Sequence, residues 1–552
     1  MVIHDFDEDI QKVFDKSFSD ISPVDWKKWL KISSNEEFVN LALKLSGLDM
    51  VDGLFNRIKK EKTNSRSFSV NLDTYIKEYG GSDPLITVHT SGTTDSSLTG
   101  IKWFPMTKSI IERLWAPGMR AIFESSGLSS EGSAVIFVPS RLKTDGINES
   151  ENQNFISLYS SEFSQRIMLS AIKPKSYLFY EYKNSKNLEI ISKILSLENL
   201  TVVSAPAATI LGWANLEKFR QGLKNSFDAI NKYDNPIIDK LLAIIKSEGF
   251  NAASIKIQEK LSKKISKATV IFSISSLNSN QWESIRIFMK WEKGKERFTN
   301  LYVGSEIGPF ASSLGDYELA KSNKMYVFPL TLPVLEYKGN CNLITKTNNR
   351  IGKLLISRQN NSHPLINIDT GDVIVIEDLE RIPIISGEIF RSGFRLKYPI
   401  NISKKIKILK TSDIYAGDFF NLREFDIFAP RYLLDCLINE CKIKTDSLLL
   451  VGFDDNDVPW ELILPTSEDI KCKSDEEIRK TISTCPKEEE IEKAIQNNYL
   501  RIKMINEQPV NFKATRLEIL EKVQKGNIPK GILKKWPLYL VLPTSISDEK
   551  IL

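Results

Sequence analysis

Histidine is nearly missing from this 552-residue chain: His4, His89 and His363 are the whole complement. Cysteine is scarce too, with Cys341, Cys436, Cys441, Cys472 and Cys485 odd in number and widely spaced. These counts predict neither a disulfide framework nor a zinc site, and a reducing compartment is the simplest expectation. Charge of one sign is also lacking. Lysine plus arginine total 75 against 70 acidic residues, so the net charge of +5 points to no nucleic-acid partner. Long apolar runs are absent as well: the longest uncharged stretch, 199–216, contains Ser204, Pro206 and Asn215 and is a poor membrane span. The N-terminus carries Asp5, Asp7, Glu8 and Asp9 where a secretory leader carries positive charge, so a cytoplasmic location is expected.

What is present is the composition of a folded globular chain, 41% hydrophobic and 26% charged, with enough length for about three or four domains. Residues 1–83 space their apolar side chains three and four apart, as in DWKKWLKI and EEFVNLALKLSGL, and predict a helical region packed on a larger domain. From Pro84, short β-rich runs (PLITVHT, SAVIFVPS, NLTVVSAP, KATVIFSIS) alternate with helical stretches, which predicts an α/β domain with a largely parallel sheet. Between Met325 and Asp378 consecutive strands predict a meander or small barrel, with a turn at Gly371. Residues 413–552 predict a compact α+β domain, and the boundary at 412/413 places a hinge near Asp413. No internal repeat and no attachment motif for a phosphopantetheine carrier is evident.

The segment most suggestive of chemistry is ITVHTSGTTDSSLTGIKWF, residues 86–104, where an apolar strand runs into hydroxyl and glycine residues and then Lys102. Thr90, Ser91, Gly92, Thr93 and Thr94 offer hydroxyls and closely approaching amides to phosphate oxygens, and Lys102 adds positive charge. A polar surface loop between two strands is the plainer alternative. The order is not GxxxxGK[ST], so this is no Walker-type loop.

TSGTT resembles the signature loop of the adenylate-forming superfamily, which includes acyl- and aryl-CoA synthetases, luciferases and peptide-synthetase adenylation domains. Further resemblances follow in the family's order over about residues 84–535. LYVGSEIG is similar to its Y-x-x-[ST]-E motif, which implies Tyr302 packing on adenine, Ser305 facing the α-phosphate and Glu306 holding magnesium. HPLINIDTGD is similar to the form in phenylacetate-CoA ligases and implies that Asp372 accepts hydrogen bonds from both ribose hydroxyls, though T-G-D between strands also suits a hairpin turn. ILKTSDIYAGDFF implies Asp413 as pivot and Lys410 at the ribose, while FRSGFR, with Arg391 and Arg395, is a second hinge candidate. KGNIPKGILKKWP resembles the segment whose final lysine bridges carboxylate and α-phosphate, implying Lys535, with Lys534 and Lys530 as the other candidates; a solvated basic turn is the alternative. Ser204, Ala205 and Pro206, followed by Ala207 and Ala208, fall where related enzymes line the acyl pocket.

The resemblance thus implies a large N-terminal adenylate-forming domain, with parallel-rich sheets and a small β-barrel-like part, and a smaller mobile α+β C-terminal domain. It implies an AMP-forming ligase that uses ATP and Mg²⁺ to activate a carboxylic acid, then transfers the acyl group to a thiol, coenzyme A first. A separate carrier protein, an amine acceptor as in acyl-acid amido synthetases, and a non-catalytic nucleotide-binding member of the fold stay open. The sequence departs from the family at Asp95, where glycine usually stands, at Ile368 and Asp369, which replace aromatic and basic residues, and at Lys534, where glycine is expected.

Overall fold

Strand Ser133–Val138 sends Ala134, Ile136 and Val138 into one hydrophobic core and Val135 and Phe137 into another, so the period-two pattern SAVIFV is buried on both faces. This signature of a doubly covered parallel sheet organises the computed structural model of the chain, which describes residues 8–18, 20, 25–79, 85–90, 102–139, 155–229, 238–272, 279–360, 363–396, 400–408, 411–427, 430–455, 457–485, 489–511 and 536–551. The strands of the first half are β1 (Leu85–His89), β2 (Trp103–Pro105), β3 (Ser133–Val138), β4 (Phe155–Tyr159), β5 (Ser176–Glu181), β6 (Leu200–Ser204), β7 (Thr269–Phe272), β8 (Phe298–Gly304) and β9 (Gly308–Ser312). β5, β3, β6, β7 and β8 lie side by side and parallel. Intervening helices such as Leu188–Ser196 and Phe250–Ile265 supply the crossovers that parallel pairing requires. β1 pairs with β2 and β4 in a separate three-stranded sheet.

Beyond β8 the pairing turns antiparallel. β10 (Lys324–Val327), β11 (Leu332–Tyr337), β12 (Asn340–Leu343), β13 (Ile351–Asn360), β14 (His363–Asp378), β15 (Ile384–Ser386) and β16 (Phe390–Arg391) extend the parallel strands into one thirteen-stranded sheet. β11 to β14 form the meander alternative of the sequence analysis, continuous with the large sheet. The predicted helical region packs here: Phe14, Trp29, Phe38 and Ile58 belong to the same core as the β13 and β14 side chains.

The turn expected at Gly371 is a correction. β14 runs unbroken from His363 to Asp378 and pairs with β13 on both sides of T-G-D, Leu355 with Asp369 and Lys353 with Val373, so the extra residues form a bulge inside one strand. Gly371 takes φ +71°, open to glycine at no steric cost. Asp369 fastens the bulge by accepting from the Gly371 amide at 2.8 Å and pairing with Lys353 at 2.7 Å. The two departures from the family pattern thereby acquire structural roles, since neighbouring Ile368 is fully buried.

A six-stranded sheet forms the smaller unit, with β17 (Phe394–Arg395), β19 (Ser412–Gly417), β22 (Leu448–Val451), β23 (Trp460–Pro465), β24 (Leu500–Ile505) and β26 (Leu538–Pro543) in the order β17-β19-β26-β22-β23-β24, while β18 (Asn401–Ile402) pairs with β25 (Val510–Asn511) and β20 (Phe420–Asn421) with β21 (Asp426–Ile427). Asp413 does not stand between the two units: it sits inside β19 opposite Leu542, is 7% exposed and pairs with Arg395. Because β17 belongs to this sheet, the smaller unit begins at Phe394, earlier than the 412/413 boundary.

The cysteine expectation is also overturned. Cys436 is bonded to Cys485 and Cys441 to Cys472, with Cα separations of 6.0 and 4.8 Å, and Cys341 is free. Spacing along the chain hid the pairs because helices Pro430–Cys441 and Asp475–Ser483 pack together. Disulfides belong to oxidising surroundings, so the cysteines lend no support to a reducing compartment. Among the described residues no helix is long and apolar enough to cross a membrane.

Candidate active site

The end of β8 and the β14 bulge face one another. The Tyr302 hydroxyl, on β8, donates to Asp372 Oδ2 at 2.6 Å. Arg391, on β16 beside the bulge, lies 3.3 Å from Asp372 Oδ1 and donates to the Thr370 carbonyl at 2.7 Å. A Cβ on Gly371 would stand 2.3 Å from the same Arg391 nitrogen, so glycine is needed both for the backbone angle and for the guanidinium's seat. Asp372 is thus held from two sides by the time its carboxylate reaches the cavity.

Glu306, two residues past β8, is half-buried, and burial raises its pKa against the pull of Lys102 and Arg391. Lys102 is buried enough to lower its pKa, against the attraction of Glu306, and its ammonium donates to the Ser65 hydroxyl. Burial works to lower the Arg391 pKa, but Asp372, Glu306 and Tyr302 outweigh it and leave it raised. Burial, helped by Asp372, pushes the Tyr302 phenol up, so Tyr302 is a neutral donor. Ser305 is buried beside them, at 8% exposure.

Thr90 closes the base of the signature loop. Its amide donates to the Lys102 carbonyl at 3.1 Å and its hydroxyl accepts from the Lys102 amide at 3.2 Å, so the antiparallel pairing of β1 with β2 extends to Thr90 and Lys102. Ser91, Gly92, Thr93, Thr94 and Asp95 lie outside the described residues, as do Lys410, Lys530, Lys534 and Lys535. His89, just before the loop, stacks on Tyr159 with ring centroids 4.3 Å apart and donates from Nδ1 to the Thr90 carbonyl. Burial lowers its pKa to about 4, so it is a neutral strut.

Ser204, Ala205, Pro206, Ala207 and Ala208 line the same cavity of about 780 Å³ as Asp372 and Arg391. Those five residues leave the carboxyl end of β6, where open α/β sheets place their ligands. The smaller unit supplies another wall. Asp418 accepts from the Arg391 amide at 3.3 Å and from the Arg431 guanidinium at 2.9 Å, and Arg431, Tyr432 and Asp435 line the cavity.

Lys102, Tyr302, Glu306 and Asp372, from three separated segments, therefore belong to one electrostatic cluster, and the small-residue segment after β6 lines the cavity that Asp372 enters. Asp413 does not reach that cavity. Sequence reasoning missed Ser65, which lies in the stretch read only as a helical region packed on a larger domain, and gave Arg391 as a hinge candidate where it is the partner of Asp372. It also passed over Asp418, five residues beyond the aspartate it chose.

Magnesium suits this donor set. Glu306 is a carboxylate whose burial favours a compensating cation, and Mg²⁺ commonly takes one or two carboxylates with water and phosphate oxygens filling its shell. Among the described residues no group of three acidic, histidine or cysteine side chains forms a complete protein cage.

No family model matches the sequence, and no curated protein sequence matches it. Solved structures similar to the chain include an open conformation of 2-hydroxyisobutyryl-CoA ligase in complex with 2-HIB-AMP and CoA, at 9% identity and TM-score 0.45 over 91% of this chain and 87% of that one. They also include the GH3.15 acyl acid amido synthetase, at 12% identity and TM-score 0.45 over 99% and 94%, and ATP-bound MatB from Rhodopseudomonas palustris, at 8% identity and TM-score 0.37 over 76% and 64%.

Proposed function

We propose that this chain is an AMP-forming ligase that activates a carboxylic acid as its acyl-adenylate. The observation that carries the proposal is the meeting of Lys102, Tyr302, Glu306, Asp372 and Arg391 beside a cavity lined by small residues. A carboxylate is a poor acyl donor because its leaving group is oxide. When a carboxylate oxygen attacks the α-phosphorus of ATP, a new O–P bond forms, the bond to the β-phosphate oxygen breaks, and pyrophosphate leaves. The acyl carbon then carries AMP as its leaving group.

This chemistry is mostly positioning and charge neutralisation. Asp372, already oriented by Tyr302 and Arg391, accepts from the ribose hydroxyls. Lys102, with Thr90 and the loop residues Ser91–Thr94, meets the phosphates, and Glu306 would hold Mg²⁺, which would supply neutralisation of phosphate charge. Lys535, or its neighbours Lys534 and Lys530, meets the reacting oxygens. The residues from Ser204 to Ala208 line the place of the acyl group. The acceptor in the second half-reaction is a thiol, coenzyme A first.

The test is ATP–pyrophosphate exchange with Mg²⁺ across aryl, short, medium and long carboxylic acids, because exchange reads adenylation before any acceptor is needed. Exchange with one acid class is the expected result, and CoA-dependent thioester formation from that acid then tests the acceptor. Silence across the panel in a protein that binds ATP overturns the proposal in favour of nucleotide binding without turnover.

A further inference from the structure

A larger cavity, about 1120 Å³, lies at the opposite end of the same sheet. Leu200 and Thr201 at the start of β6, Thr269 at the start of β7 and Arg297 just before β8 line it. Ser204 of β6, Phe272 of β7 and Val303 of β8 line the candidate active site. Three neighbouring strands therefore present their amino ends to one cavity and their carboxyl ends to the other, and at ~3.3 Å per residue β6 alone separates them by roughly 13 Å. The second cavity is a separate place.

Among the described residues its lining has one sign of charge: Lys240, Lys260, Lys263, Lys264, Lys267 and Arg297 border it with no carboxylate between them. Lys260, Lys263 and Lys264 lie on one face of helix Phe250–Ile265 and Lys267 in the turn that follows it, at i, i+3, i+4 and i+7, while Ile257, Leu261 and Ile265 turn the other face into the core. Like charges at this spacing repel.

Elsewhere on the protein some helical cations take acidic partners, as Arg57 does Glu61, Lys193 does Glu189 and Arg286 does Glu283. Here Lys264 donates to the Leu197 carbonyl, and among the described residues Lys240, Lys260, Lys263 and Lys267 have no ion-pair partner. A favourable helix C-terminus accounts for cations in the last turn, but not for Lys240 on the preceding helix Asp239–Glu248 or Arg297 beside β8. Taken as a sphere the cavity is about 13 Å across, so its cations lie within about one to two Debye lengths of a common centre at physiological salt and reinforce one another.

The cavity's apolar lining includes Leu195, Leu200, Leu241 and Ile244, with Leu200 and Leu241 buried. Its hydroxyls are partly spent within the protein: Ser126 donates to the Ile122 carbonyl, and Thr269 bonds to Tyr317 at 3.2 Å. What the cavity offers a ligand is thus apolar surface within and unpaired ammonium groups around it. We propose that it is a second ligand site for an amphipathic organic phosphate, apolar body inward and phosphate among the lysines.

The experiment uses decyl phosphate, kept monomeric, with the full-length protein, reading binding by calorimetry and its location by amide hydrogen exchange. The expected result is saturable binding that slows exchange in helices Asp239–Glu248 and Phe250–Ile265. It should persist in saturating MgATP, weaken with added KCl and fall at least tenfold in Lys240→Gln/Lys260→Gln/Lys263→Gln. Ile244→Asp should lose decyl phosphate as well, which separates a seated chain from a patch of charge. Binding unchanged in the triple variant, displacement by MgATP, or equal affinity for inorganic phosphate would overturn the proposal. Matching far-ultraviolet dichroism and melting temperature keep the surface variants interpretable.

Discussion

At the scale of single residues, the candidate site is a balance between burial and mutual attraction. Glu306 has its pKa raised by burial and Lys102 has its pKa lowered by burial, each partly restored by the other. A carboxyl that is harder to ionise in the fold than in the free chain costs stability once pH exceeds the ordinary carboxylate range. Glu306→Gln should therefore melt higher than the parent at pH 7, the gain shrinking as pH falls and the free-chain carboxyl protonates. The same variant should lose pyrophosphate exchange by a factor on the order of 10²–10³, the range for removing one aligned electrostatic partner of a phosphoryl or acyl transfer. A variant that melts lower at pH 7 and turns over normally would remove Glu306 from the site. His89 makes a second prediction with the opposite sense. Its pKa falls from 6.5 to about 4 on burial, so the unfolded chain binds a proton between those values that the folded chain does not. Stability should be full above pH 6.5 and decline by about 3 kcal/mol as pH falls toward 4. His89→Phe, which keeps the stack on Tyr159, should flatten denaturant midpoints across that window, and an unchanged slope would assign the pH dependence to other groups.

At the scale of elements, legibility depended on whether the relevant signal was local. The β-rich run SAVIFV and the spacing in EEFVNLALKLSGL report on the strand or helix that contains them, and those elements stand where they were expected. T-G-D was legible as a motif but not as a shape, because a hairpin turn and a bulge both use glycine at positive φ. Pairing on both flanks with β13 makes it a bulge, and that partner is set by contacts across the sheet. Gly371→Ala tests the distinction: a Cβ there meets Arg391 at 2.3 Å, so the variant should fold with a loss of about 1–3 kcal/mol and turn over poorly. Full activity would mean that the arginine's seat is dispensable. The cysteines were illegible for the same non-local reason, since each pair spans packed helices, with separations of 49 and 31 residues. Loops of those lengths imply about 4 kcal/mol of stabilisation apiece on the chain-entropy account. Denatured without reductant, the protein should show one reactive thiol, Cys341, and after reduction five; its melting temperature should drop between the two states. Five thiols at the outset would refute the pairing.

At the scale of the whole molecule, two sheets meet at one seam, and the candidate active site lies along it. Segment 390–394 bonds in both directions: the Ser392 amide donates to the Gly371 carbonyl of the large sheet at 2.9 Å, and the Gly393 amide donates to the Phe419 carbonyl of the smaller unit at 2.8 Å. Val373 and Phe390 pack there against Phe419 and Tyr432 in a small core of their own. The presence of two units was readable from the change of pattern along the chain, but the seam was not, because it is made of two-residue strands with no period to detect. The hinge was sought in a family motif that this chain scarcely keeps. Asp418 concentrates the polar part of the joint, accepting from the Arg391 amide and from Arg431 across a buried carboxylate. Hydrogen bonds to a charged partner are worth about 1.5–3 kcal/mol, so Asp418→Ala should speed amide exchange at Gly393 and Phe419 by roughly tenfold or more. The smaller unit holds its own core between β22, β23 and β26, so exchange within those strands should stay as in the parent. Faster exchange confined to the seam would show that the two units are joined there and stable apart from it. Acceleration spread through the smaller sheet would instead make Asp418 a support of that unit's fold, and the joint would have to be sought in the apolar contacts of Phe390 and Phe419.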